Sequence, residues 1–279
     1  VSQGWLFFPN SMLLKANLPT ESAGQAVKTL TGLIVLRRLL NNPHLLLLLI
    51  AALLLRVRLL RAKPQAEQPR AGADLTVLFV GATLLHVALA DVGWFYRYEA
   101  YLVGLGLLTL AVGWLELSRG GETGDVAAQL RPPGRWALLL AIVLAAAGLG
   151  DRAVRATLEA PRAMANIYEQ QIQMGRFLRD YYPGAVVAVN DIGAVNYLAD
   201  IHCVDLVGLA HREVATLRRT RSYHARALER LLQDEGVQIA IVYDNWLRIP
   251  GGWQPLGQWR IQHNVVTGGD TVTLYAVGP

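Results

Sequence analysis

Over the first 150 residues, long apolar runs alternate with short basic or aromatic breaks. Beyond them, short apolar runs alternate with polar, helix-like stretches. Leu45 to Leu60, Leu75 to Val92 and Ala100 to Leu117 each approach the roughly 20 apolar residues that cross a bilayer. Trp136 to Gly150 is shorter but carries no charge. One such run could be the buried helix of a soluble core. Four in succession, separated by basic loops, predict a polytopic membrane region.

The flanks read differently. Residues 1–43 are expected to form an outer loop and an interfacial amphipathic helix. Pro9-Asn10-Ser11 is turn chemistry, Thr20-Glu21-Ser22 offers helix-start residues, and Lys28, Arg37 and Arg38 punctuate the apolar positions from Ala26 to Leu40. Residues 44–150 hold about four transmembrane helices, and residues 151–279 a soluble domain. There the pattern predicts an amphipathic helix from Arg162 to Tyr181, a buried strand at Ala185–Val189 and a short helix at Ala194–Leu198. It continues with strands at His202–Leu206 and Gln238–Tyr243 and a helix at Tyr223–Glu235. A closing hairpin pairs Trp259–Val266 with Thr271–Val277. The expected fold class is an α-helical polytopic membrane region followed by a small α/β extracytoplasmic domain.

Composition supports the membrane reading: 53% of the 279 residues are hydrophobic and 17% charged, with a mean hydropathy of +0.30. The net charge of +5 lies wholly in residues 1–150, which hold 13 Lys/Arg against 8 Asp/Glu, while residues 151–279 hold 13 of each. A nucleic-acid-binding face on the soluble domain is therefore not expected. The positive-inside rule puts the loops 56–70 and 119–135 in the cytoplasm. The aromatic loop at Gly93–Glu99 and the carboxy-terminal domain then face outward across a plasma (inner) membrane. Cys203 is the single cysteine and reads as a buried small hydrophobe. The chain begins at Val1, and a missing natural amino terminus is expected.

Candidate chemistry centres on Asp91-Val92-Gly93-Trp94-Phe95-Tyr96-Arg97-Tyr98-Glu99-Ala100-Tyr101. Two acids and an arginine among five aromatics at a membrane edge are either an aromatic belt with a snorkelling arginine or the rim of a site for an anionic, lipid-linked substrate. A second segment, Phe8 to Lys15, puts Asn10 in a turn and Lys15 where it can contact phosphate. Arg97 suits phosphate better, through its bidentate fork.

Phe8-Pro9-Asn10-Ser11 through Lys15 resembles the outer loop of GT-C membrane glycosyltransferases, especially the terminal arabinofuranosyltransferase-like branch. Asp91 to Tyr98 is similar to a later outer loop of that branch. Asn190-Asp191-Ile192-Gly193-Ala194 to Val204-Asp205-Leu206-Val207-Gly208-Leu209 resembles the carboxy-terminal domain that often follows. The resemblance implies sugar transfer from a polyprenyl-phosphate-linked donor to a glycan or lipid acceptor of the cell envelope. It implies an inverting displacement in which a carboxylate deprotonates the acceptor hydroxyl and cations stabilise the departing phosphate. The family's catalytic acid is expected upstream of Val1. Asp91 is the candidate within this chain, and Asn10, Lys15, Arg97, Tyr98 and Glu99 are the candidates for substrate binding, Glu99 by steadying Arg97. No cofactor is certain, and assistance by a divalent metal stays open.

Asp191, His202 and Asp205 invite a catalytic reading, but strand-end hydrogen bonds and turn capping explain them as well. Arg218-Arg219-Thr220-Arg221 reads as a solvated or lipid-facing patch. Trp246, Trp253 and Trp259 either stack on sugars or close the core. The competing function is a non-enzymatic membrane protein whose outer α/β domain binds a glycan or a protein partner.

Overall fold

The computed structural model describes residues 10, 14, 32–61, 71–119 and 132–277. The chain divides into two compact units: residues 17–156, and residues 157–279 together with 1–16.

In the first unit, helix α1 (Gly32–Asn41) precedes three helices long enough to span a bilayer, α2 (Pro43–Arg61), α3 (Ala71–Leu89) and α4 (Ala100–Arg119). A fourth long helix, α5, covers Pro132–Asn166. Four helices are long and apolar enough to cross a membrane. The second span stops at Leu89, three residues short of the expected Val92. The last does not stop at Gly150: α5 continues unbroken, and the division between units falls inside it, after Ala156. No helix breaker stands at that point, because Gly150-Asp151-Arg152-Ala153 can all remain helical. The amino-terminal amphipathic helix is described only from Gly32 onward; its remainder and Lys15 lie outside the described residues.

Van der Waals packing, rather than the hydrophobic effect, holds apolar helices together in lipid, so small residues collect where backbones approach. A Cβ on Gly72 of α3 would lie 2.7 Å from the Cα of Gly113 on α4. One on Gly113 would lie 2.7 Å from the Leu55 side chain of α2, and one on Gly106 2.9 Å from the Phe79 ring of α3. Leu45, Leu48, Phe79 and Leu102 are fully buried among these helices. Leu78, Leu85, Leu108, Leu140 and Val143 face outward, as lipid-facing positions would.

Both ends of α3 are satisfied by charged side chains from its neighbours. At its amino end the Gly72 N–H donates to Glu116 Oε1 at 2.9 Å, and Arg56 donates to the Ala73 carbonyl. At its carboxyl end Arg38 Nη1 donates to the carbonyls of Val87 (2.6 Å) and Ala90 (3.2 Å). Glu116 at the positive end of the helix dipole and Arg38 at the negative end complement it and satisfy backbone groups that lipid cannot solvate.

The second unit is a five-stranded sheet in the order β2-β1-β3-β5-β4. Strands β1 (Val186–Val189), β2 (His202–Asp205) and β3 (Ile239–Val242) are parallel, while β5 (Thr271–Ala276) and β4 (Gln254–Arg260) continue antiparallel. Alternate residues point to opposite faces. Val187, Val189, Ile239 and Ile241 meet a π-helical turn (Ile167–Ile172) and helices α6 (Gln173–Tyr181) and α7 (Ala194–Leu198) through Met174, Leu178 and Val195. Ala188, Val204, Ala240 and Val242 meet α9 (Ala225–Asp234) through Leu228 and Leu232. Helix α8 (Arg212–Arg219), which the apolar pattern missed, joins β2 to α9.

The first arm of the closing hairpin runs over Gln254–Arg260, not Trp259–Val266, and Arg260 pairs with Thr271. Residues 261–270 fold instead into a turn-rich connection, in which Asn264 Oδ1 accepts the N–H groups of Val266 and Thr267. β4 is an exposed edge strand with a bulge between Pro255 and Gly257, so no alternating burial marks it.

Replacing Gly113 or Gly106 by Leu should cost about 1–3 kcal/mol through overpacking. Gly104, with no neighbour within 4 Å of its notional Cβ, should accept Ala at no cost. Thermal unfolding of the detergent-solubilised protein separates the two.

Candidate functional site

The break between α3 and α4 is a backbone feature before it is a chemical one. Gly93 has φ +103, and the next three residues, Trp94, Phe95 and Tyr96, have φ of 46, 54 and 62. Three consecutive bulky residues thus form a left-handed turn, closed by the Arg97 and Tyr98 N–H groups on the Gly93 carbonyl at 3.2 and 3.3 Å. Such a conformation costs roughly 1–2 kcal/mol per residue. It persists where surrounding contacts over-determine it, and such places are often functional.

Those contacts come from Glu99. Its backbone carbonyl starts α4 by accepting the N–H groups of Leu102 and Val103, while its carboxylate turns back into the protein and is fully buried. One oxygen accepts the Gly93 N–H at 2.7 Å, and the other pairs with the Arg152 guanidinium of α5. Arg152 also lies over the Tyr96 ring, 4.7 Å from its centroid. His44 of α2, itself buried, puts Nε2 3.7 Å from Glu99 without a hydrogen-bond partner. Four elements therefore converge on one carboxylate, and the turn is fastened at its first residue, its third ring and its end.

Glu99 does not steady Arg97: its carboxylate is committed to Arg152 and Gly93. Arg97 projects from the turn as an exposed side chain and donates through Nε to the Trp94 carbonyl at 3.3 Å. Tyr98 is half-buried beside it, and Trp94 is 45% exposed. Asp91 is exposed, and its carbonyl accepts from His86 Nε2 at 3.1 Å, whose Nδ1 meets the Tyr101 hydroxyl at 2.9 Å. Asn10 is half-buried and belongs to the other compact unit, with residues 157–279.

In that second unit, the switch point between β1 and β3, where α/β sheets bind ligands, is filled by protein. Asn190 bridges the two strand ends by pairing with both backbone groups of Tyr243. The Tyr243 hydroxyl donates to Gln170 Oε1 and accepts from Gln171 Nε2, each at 2.7 Å, and Gln171 also reaches Asp191 Oδ2 at 2.9 Å. The π-helical turn brings both glutamines inward. Burial, and secondarily the Asp191 charge, holds the Tyr243 phenol well above its ordinary range. Asp205 accepts the N–H groups of Val207 and Ala210 at 2.8 and 2.7 Å. Arg218 is not a solvated charge, since it donates to the Leu206 carbonyl and stacks on Tyr223 at 4.4 Å. Trp246 packs on Tyr243, Trp253 on Tyr275 and Trp259 on Phe177, so all three close the core. Cys203 is half-buried, and burial pushes its thiol up.

Among the described residues, one group of His and acid side chains lies close enough to hold a metal: His211, Glu213 and Glu235, within 4.8 Å of one another. Its chemistry disfavours an ion. His211 Nδ1 accepts the Val214 N–H, which leaves the proton on Nε2, and Nε2 donates to Glu235 at 3.3 Å.

A family model for a domain of unknown function (DUF8728) matches residues 165–275, so the α/β unit is similar to that family. No curated protein and no solved structure matches the chain.

Breaking the buried pair by Glu99→Gln or Arg152→Gln should destabilise the first unit by about 3–5 kcal/mol. The double variant should lose less than the sum of the two, in a double-mutant cycle read by denaturant unfolding. The raised Tyr243 pKa means that the native state holds its proton more tightly than the unfolded chain. Its contribution is complete below pH ~10 and is lost as pH rises above that value. Alkaline unfolding of Tyr243→Phe should therefore show a shallower loss of stability than the wild type.

Proposed function

We propose that the chain is a polytopic membrane glycosyltransferase of the GT-C kind, transferring a sugar from a polyprenyl-phosphate donor to an extracytoplasmic glycan or lipid acceptor. The observation that carries this reading is the left-handed Trp94–Tyr96 turn, clamped by a buried ion pair and leaving Arg97 exposed at the end of two apolar helices. A simple aromatic belt needs neither a strained backbone nor a buried carboxylate, because Trp and Tyr settle at the interface from ordinary helix ends. A turn fixed at this cost suits a job that needs one geometry.

In the reaction, the bond between the anomeric carbon and the phosphate oxygen breaks as the acceptor oxygen attacks. The acceptor proton passes to a carboxylate, and the polyprenyl phosphate leaves with the bonding electrons. Arg97 meets the growing charge on phosphate with its fork. Trp94 and Tyr98 offer ring faces to the sugar or the first isoprene units. Asp91 is the carboxylate of this rim that remains exposed once Glu99 is taken up by Arg152, so it is the candidate base within the described residues. The orientation with this rim and the α/β unit outside follows from the basic loops at 56–70 and 119–135.

A second reading rests on the α/β unit: a protein whose outer domain binds a partner or glycan, without catalysis. Its support is an open groove between α8 and α9, in contrast with the closed switch point.

Membranes expressing the protein should transfer label from a polyprenyl-phosphate sugar panel. Arg97→Ala should lower transfer at least about 100-fold, the scale of one lost transition-state donor, with expression and melting temperature unchanged. Equal transfer by Arg97→Ala and wild type would remove Arg97 from the donor site. No transfer from any donor by folded, inserted protein would favour the binding reading.

A further inference from the structure

Beside the ion pair that fastens the aromatic turn stands a group the fold leaves unspent. His44 lies at the start of α2 and is 4% exposed, and its Nε2 has no hydrogen-bond partner among the described residues. A buried polar atom left unpaired is a standing cost, and lipid supplies no water to relieve it. Nε2 faces Glu99 Oε1 at 3.7 Å, too far for a hydrogen bond, and Oε1 is the oxygen that pairs with Arg152. One proton changes that. An imidazolium donates from both nitrogens, and a charged N–H aimed at a carboxylate closes to hydrogen-bond length.

Few charges act on this ring. They are Arg152 of α5 and Glu99 of α4. From α1, Arg38 is committed to the carbonyls that end α3. From α3, His86 faces the Asp91 carbonyl and the Tyr101 hydroxyl. On α5, Asp151 is held by Arg155 at the exposed surface. Along α2 itself the next cation is Arg56, about 18 Å further on at 1.5 Å per residue.

With His44 neutral, the charges of Glu99 and Arg152 cancel. A proton on His44 adds an uncompensated charge to a site walled by apolar helices, which is costly. The member able to leave is Arg152. Glu99 is fully buried and tied to the Gly93 N–H, and His44 sits on a short side chain at a helix start. The Arg152 side chain is 20% exposed, on a long stem that reaches water. Its departure also takes the guanidinium off the Tyr96 ring.

We infer that His44 is a proton-operated switch on the aromatic turn: a proton on Nε2 makes His44 the counter-ion of Glu99 and frees Arg152 from the carboxylate and from Tyr96. The Gly93 end of the turn stays fastened, because Glu99 remains a carboxylate, while the Tyr96 end slackens. The switch stands on the geometry of the turn and is independent of the proposed transfer reaction.

Amide hydrogen exchange of the full chain in nanodiscs tests it, read as protection factors from about pH 7.5 down to about pH 4, which spans the ordinary histidine range. The Arg97 and Tyr98 amides, bonded to the Gly93 carbonyl, should lose protection about tenfold on acidification, the scale of a lost cation–π contact. The Gly93 amide should keep its own. His44→Gln retains every other titrating group and should lose this acid response. Nitrogen NMR of the wild type needs no variant: the His44 ring and the Arg152 Nε should titrate with one midpoint. Protection of Arg97 and Tyr98 that ignores pH, or the same acid response in His44→Gln, overturns the inference. So does equal loosening of Gly93, which would mean that Glu99 itself takes the proton, or a His44 titration that leaves Arg152 Nε unmoved.

Discussion

The first unit is organised around one buried carboxylate. An isolated carboxylate among apolar helices is costly, and in lipid no water relieves the cost. Glu99 is tolerated because Arg152 and the Gly93 N–H meet its oxygens, and each of those partners is fixed in turn. The pair draws α5 to the start of α4, and Gly93 draws the preceding loop to the same point. The left-handed Trp-Phe-Tyr turn between them then has no slack in which to relax. Charge burial, helix position and loop conformation thus form a single constraint, and the exposed Arg97 is its visible product.

Each unit pairs its buried polar groups and leaves cations at its surface. At the switch point of the sheet, Tyr243, Gln170, Gln171, Asn190 and Asp191 satisfy one another inside a packed core. A fully satisfied network of this kind specifies a unique core and leaves no room for a ligand. At the rim of α3 and α4, and in the α8–α9 groove, cationic side chains instead stand exposed. The proposed function therefore rests on the exposed rim, since neither the fold nor the match to a domain of unknown function names a chemistry.

Much of the fold was legible in the sequence because the two periodicities are unambiguous here. Apolar runs of span length gave the four long helices, and Val186-Val187-Ala188-Val189 and Ile239-Ala240-Ile241-Val242 read as buried parallel strands. β4 escaped because an exposed edge strand containing Pro255 and Gly257 has no alternating pattern to detect. Helix α8 escaped because its N-cap is His211, not Ser, Thr, Asp or Asn, the usual signals. The aromatic rim was conspicuous in composition, but its mechanics were not. Glu99 is two residues from Arg97 and 53 from Arg152, and local spacing favours the wrong partner. The one available clue was Asp151-Arg152 at the end of an uncharged run, a pair of charges beside a span that asks for partners of its own.

That Glu99 fastens the aromatic turn is tested most directly by hydrogen exchange of the protein in nanodiscs. The amides of Gly93, Arg97 and Tyr98 are hydrogen-bonded within the clamped turn and should be protected in the wild type. In Glu99→Gln these three should exchange about 100-fold faster, the scale of a ~3 kcal/mol loss of local stability, while the amides of α2 and of the middle of α4 stay protected. Equal protection of the turn in both proteins, with the helices intact, would contradict the claim.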